Sequence, residues 1–181
     1  MIAGPSGAGK GTVIRKLLER EPDLWFSVSY ATRAPRPDEV EGVDYHFVDR
    51  ADFLALRDAD GFLEWFDVYG DLKGTPRAPV EEHLASGDDV LLEVDIQGAL
   101  AVRAQYPEAL LVFVKPPSRD EQRRRVLARP VEVPEDVEQR LAAAEAEEAH
   151  AARFDAVVVN DDVDAAVDQV AGILGARRSG R

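Results

Sequence analysis

Gly4, Gly9 and Lys10 in the stretch GPSGAGKGT stand at the spacing G-x-x-x-x-G-K. Glycines so placed let successive backbone N–H groups converge on one anion, and the lysine adds a full charge. A helix starting at the lysine brings the positive end of its dipole to the same point. Gly4, Pro5, Ser6, Gly7, Ala8, Gly9, Lys10, Gly11 and Thr12 are therefore the candidate phosphate cradle. The competing reading is a glycine-rich turn with no function. Position 11 is glycine where the full pattern wants Ser or Thr, and a hydroxyl arrives one step later at Thr12. No side chain is assigned as a metal ligand.

Two further groups carry chemistry. SYATRAPR places Ser29, Arg33 and Arg36 together, and Tyr45 follows in VDYHF. Guanidinium groups bind phosphate through two parallel donors, and hydroxyls add neutral ones. Taken alone, such arginines are more often solvated loop charges. The second group spans FLEWF, LKGT and EVDIQG. Phe62, Trp65 and Phe66 read as apolar filling of a small lobe, and Glu64 in their midst is a carboxylate in need of a partner. Asp95 follows a strand, at the edge where ligands bind in such sheets, or else caps a helix.

Composition narrows the classes. There is no cysteine, so disulfides, zinc thiolates and thiol nucleophiles are excluded. His46, His83 and His150 share no metal-ligand spacing. A net charge of −13 argues against a broad nucleic-acid face, but an arginine cluster can still set the field inside a cleft. No membrane span and no signal segment are expected, which reads as a cytoplasmic chain.

The elements that must position these residues are read from periodicity. MIA ends a strand before the glycine loop, although only three residues precede Gly4. A first strand of about five residues would need more, so the strand is clipped or the chain starts further upstream. GTVIRKLLER is helical, WFSVSYATR one strand, and FLEWFDVYGDLKGTP a hairpin between two short helices. DDVLLEVDIQG, ALLVFVKPPS and DAVVVNDD read as strands buried on both faces, alternating with helices. One parallel α/β core is expected over 1–32, 88–125 and 142–181, with an inserted lobe over 33–87 and a Pro- and Arg-rich lid over 126–141. In the run Arg123-Arg124-Arg125, helical spacing predicts that at least one arginine is merely solvated.

Taken in order, GPSGAGKGT, FSVSYATRAPRPDEVEGVDYHF, GFLEW, GTP, EVDIQG, FVKPPS and VVND resemble the guanylate kinase family over almost the whole chain. The resemblance implies a P-loop NTPase parallel-sheet core with a GMP-binding lobe and a short helical lid. It implies transfer of the γ-phosphoryl group of ATP to GMP, with dGMP a second acceptor, in the presence of Mg²⁺. It places Ser29, Arg33, Arg36 and Tyr45 on the GMP phosphate, and Glu64, Thr75 and Asp95 on guanine. It places Arg125, Arg129 and Arg140 around the transferred phosphate, with Arg129 on the ATP side. Lys10, Arg33, Arg125 and Arg140 are the implied catalytic charges. Lys73 stands where many relatives have a phosphate-contacting tyrosine, and Pro130 where a glycine is common. The implied partners are GMP and ATP alone, without nucleic acid or membrane, in a monomer or homodimer. Other P-loop kinases, ribose-bisphosphate kinases and a non-catalytic scaffold module are the competing readings.

Overall fold

The computed structural model describes residues 1–68, 70–128 and 149–180. They divide into two compact units, 1–22 with 108–181, and 23–107.

The first unit holds the glycine loop. β1 (Ile2–Ala3) and β9 (Ala156–Val159) both pair in parallel with β8 (Val112–Lys115). Val112, Phe113 and Val114 are each at most 1% exposed, as a strand covered on both faces requires. α1 (Lys10–Arg20) buries Val13, Ile14 and Leu17 and packs with α6 (Val163–Ser179), which buries Ala166, Val167, Val170 and Ala171. α5 (Arg119–Leu127) is capped by Ser118, and α6 by Asp162. β9 departs from the expectation of a fully buried strand. Val158 is buried, but Val157 is 44% and Val159 40% exposed, so only one face is covered.

The second unit holds two sheets. β2 (Leu24–Ser27) pairs in parallel with β7 (Asp89–Leu92). β3 (Tyr30–Ala31), β4 (His46–Phe47), β5 (Phe62–Val68) and β6 (Asp71–Pro76) form a sheet in the order β4-β3-β6-β5. α2 (Arg50–Asp58), α3 (Arg77–Ala85) and α4 (Ile96–Gln105) complete the unit. The single strand expected across WFSVSYATR is thus two strands. The chain changes sheets at Val28–Ser29, and β-propensity does not register a change of pairing partner. The apolar run around β7 is likewise shorter than expected, because Asp95 caps α4 and Ile96 opens it. The unit is wider than the segment 33–87, since β2 and β7 belong with it.

Alternation in the four-stranded sheet separates a core face from a polar face. Leu72 and Phe62 pack on Phe53 of α2, with Tyr30 and Val48 beside them. The register Phe47↔Ala31↔Lys73↔Phe66 marks the other face, and Glu64↔Thr75 continues it. The pairing shifts between Phe62 and Glu64, so Phe62 and Leu63 are both buried before alternation resumes. Such a bulge re-aims the residues that follow it. Here it turns Glu64 away from the apolar face.

Candidate active site

The glycine loop is built for close approach. Gly4, Gly7 and Gly9 all hold positive φ. Gly9 is the N-cap of α1 at φ 81°, and a Cβ there would stand 2.4 Å from the Asn160 side-chain nitrogen. Asn160 Nδ2 donates to Ala8 O at 2.8 Å. Gln122, wholly buried on α5, donates from Nε2 to Ser6 O at 2.8 Å and accepts at Oε1 from Arg119. Two buried amides therefore hold the loop's carbonyls in place. Lys10 Nζ donates to Gly4 O at 2.7 Å and to Pro5 O at 3.4 Å. Thr12 is exposed in the first turn of α1, and a side chain at Gly11 would meet no atom within 4 Å.

Arg125 sits beside this loop. Its Nε donates to Glu121 and one terminal nitrogen to Asn160 O at 3.0 Å. The other terminal nitrogen is buried without a hydrogen-bond partner among the described residues. It lies 3.6 Å from the point a Gly9 Cβ would occupy. Arg124, by contrast, is 72% exposed and pairs with Glu121, and Arg123 is exposed. Hydrogen bonds from Arg124 and Arg125 hold the Glu121 carboxyl down at about 2. Arg129 and Arg140, with most of the expected lid, lie outside the described residues.

Two groups share the polar face of the second unit. In the first, Thr75 Oγ1 donates to Glu64 Oε1 at 2.5 Å. Burial, then the nearby Asp95 charge, pushes the Glu64 carboxyl up to about 7 against the Thr75 hydrogen bond. Asp95 caps α4, with Oδ1 accepting from the Gly98 N–H at 2.6 Å, so the capping alternative holds for that oxygen. Gly98 lets the helix start close to the pair, because a Cβ there would stand 2.9 Å from Glu64 Oε2.

The second group is cationic. Arg33 donates from both terminal nitrogens to the two oxygens of Glu39, at 2.6 Å each. The Arg36 backbone N–H donates to the same carboxylate at 2.8 Å. Arg33 is centred 5.1 Å from the Tyr45 ring and 5.6 Å from Phe47. Lys73 Nζ donates to the Tyr45 hydroxyl at 3.3 Å. Arg33 Nε is buried with no hydrogen-bond partner among the described residues. Burial, and the neighbouring Glu93 charge, raise the Tyr45 hydroxyl to about 12, so it stays protonated. Ser29 is half-buried just before β3, and its carbonyl accepts from the His46 N–H at 2.8 Å.

Sequence reasoning missed Glu39, which sits in an acidic loop and clamps Arg33, and it missed Gln122 and Gly98. Asn160 lay inside the VVND block, but its hold on Ala8 had no sequence signal. Two of the histidines make local contacts: His83 stacks on Trp25 at 3.9 Å, and His46 lies 3.2 Å from Glu41. No group of three His, Cys, Asp or Glu able to hold a metal occurs among the described residues. Nor is any described helix long and apolar enough to cross a membrane.

A left-handed glycine cap on a helix after a parallel strand, with its lysine and a flanking arginine, defines a P-loop kinase-like α/β protein. Comparison with protein families matches residues 1–177 to "Guanylate kinase". A guanylate kinase of Thermus thermophilus is 53% identical over 183 residues, covering 100% of this chain and 83% of the relative. One from Nocardia farcinica is 51% identical, covering 96% of this chain and 91% of the relative. The crystal structure of guanylate kinase from Anaplasma phagocytophilum superposes with a TM-score of 0.81 at 36% identity, over 97% of this chain and 82% of that one. The chain belongs to the guanylate kinase family.

Proposed function

We propose that this chain transfers the γ-phosphoryl group of ATP to GMP, and to dGMP, giving ADP and GDP. The observation that carries the choice of base is the Glu64–Thr75 pair, a buried carboxylate held by one hydroxyl at 2.5 Å. Guanine presents N1–H and N2–H₂ along one edge, and a carboxylate offers two acceptors to match them. Adenine presents a lone pair at N1 and no 2-amino group, so it would leave Glu64 unpaired. A buried site built for such hydrogen bonds rejects the wrong ligand by roughly 10⁴.

The cationic group beside that pair suits the GMP phosphate. Arg33, Arg36, Tyr45 and Lys73 supply its donors, with Ser29 at the margin. On the other unit, the glycine loop and Lys10 suit the β- and γ-phosphates of ATP. Arg125 offers a buried donor at Gly9 for the same ligand. Arg129 and Arg140 are assigned to the transferring phosphate by family resemblance. No covalent enzyme intermediate is needed, since the work is positioning and neutralisation of charge. Mg²⁺ fits as an ion held mainly by phosphates and water, with the Thr12 hydroxyl as the available side chain. When bound, it would supply neutralisation of phosphate charge.

Replacing Glu64 with alanine tests the base-reading role. Use of GMP should fall by far more than ATP binding changes. Equal losses for both ligands would overturn that role.

A further inference from the structure

Lys73 stands in surroundings that are unusual for a lysine. It lies on β6 between Phe66 of β5 and Ala31 of β3, on the polar face of the sheet. Its ammonium nitrogen is 4.8 Å from the centre of the Tyr45 ring and donates to the hydroxyl of that residue at 3.3 Å. Arg33 stacks over the same ring at 5.1 Å, so two cationic groups share one aromatic ring. One neighbouring carboxylate is already engaged: Glu39 spends both oxygens on Arg33 and accepts from the Arg36 backbone.

We infer that Lys73 is a proton-accepting phosphate sensor, which shares one aromatic ring with the Arg33 guanidinium in the free site and takes up part of a proton from solvent when a phosphate dianion enters. This rests on the reading of the cationic group as the GMP phosphate site. The step is a proton transfer from solvent: the Lys73 amine becomes an ammonium, and the incoming dianion is its counter-ion. The charged groups facing Lys73 pull in both directions, and burial decides between them. Burial, then Arg33 and more weakly Arg36 from the loop after β3, lower its pKa to about 8, against opposing pulls from Glu93 after β7 and from Glu39. Arg33 stays charged, because the hydrogen bonds and charge of Glu39, with Tyr45 and Asp71 on the strand of Lys73, together outweigh its burial. Tyr45 keeps its proton throughout. A dianion within hydrogen-bond reach reverses the balance, because opposite charge favours the ionised lysine. The unpartnered Arg33 Nε–H beside it is the second donor waiting for that ligand. A tyrosine at this position could donate to phosphate but could not add a charge to it.

Calorimetric titration of GMP into the full chain, at about pH 8.5 in Tris and in HEPES, reads the proton directly, because the two buffers release heat differently. Roughly half a proton or more should be taken up per GMP bound. Lys73→Arg carries a permanent charge and should bind GMP within about tenfold of wild type with that uptake gone. Lys73→Met should bind more weakly and also show none. Heats that do not depend on buffer in the wild type overturn the inference while leaving GMP binding intact. So does undiminished uptake in Lys73→Arg, which would assign the proton to the base or to another group. A wild-type chain giving no GMP heat overturns the functional reading and this inference together.

Discussion

Thr75 and Glu64 face each other across the β5–β6 pair, and the threonine hydroxyl holds one carboxylate oxygen at 2.5 Å. The other oxygen lies toward Gly98 at the start of α4. One strand pair and one helix start therefore fix the carboxylate that we propose reads the base. Thr75→Val keeps the shape and removes the donor. It should raise the KM for GMP about tenfold, the cost of one buried hydrogen bond, and leave the KM for ATP unchanged. Steady-state kinetics with each substrate varied would show this, and a matching rise in both KM values would refute it.

Glu64 also links stability to pH. Its carboxyl is raised from 4.5 to about 7 by burial, so the folded chain binds more protons than the unfolded chain between those values. The stability this confers is present below about pH 4.5 and is lost as pH rises through about 7. Glu64→Gln has no such loss. Relative to wild type it should gain on the order of 1–3 kcal/mol between about pH 5 and pH 8. Urea unfolding of both proteins at the two pH values measures this, and parallel pH dependence would contradict it.

Gly98 leaves room that a methyl group would fill. A Cβ there would stand 2.9 Å from Glu64 Oε2 and 3.2 Å from Asp95 Oδ1. Gly98→Ala should lower kcat/KM for GMP by about 10²-fold through displacement of the carboxylate. ATP binding, followed by calorimetry, should be unaltered. A variant with wild-type GMP kinetics would show that the base is read elsewhere.

Gly11 lies inside the first turn of α1, with open space within 4 Å of the point a Cβ would occupy. Gly11→Ser should stabilise the helix by about 0.5 kcal/mol, since glycine carries the larger entropy cost. A higher thermal midpoint would show it, and a lower one would mean that the loop needs glycine here for a further reason.

Much of this arrangement was legible in the residues. The glycine loop, the helix behind it and the β5–β6 hairpin follow from spacing and turn chemistry, which are local. Partner exchange was not legible. The chain leaves β7's neighbour at Ser27 and joins another sheet at Tyr30 without any break in β-propensity. Asp95 read as a ligand-edge residue or a helix cap, and its Oδ1 proves to cap α4. The Glu39 clamp on Arg33 was hidden because a loop carboxylate shows its partner only when the loop is folded. The buried amides Gln122 and Asn160 bond to loop carbonyls more than 100 residues away, at separations of 116 and 152, beyond the reach of any periodicity.

The most direct measurement is ADP formation by the full chain with ATP and Mg²⁺, comparing GMP with AMP as acceptor. A carboxylate that vets the purine should favour GMP by roughly 10⁴ in kcat/KM. ADP formed no faster with GMP than without it, or equally fast with AMP, would contradict the assignment.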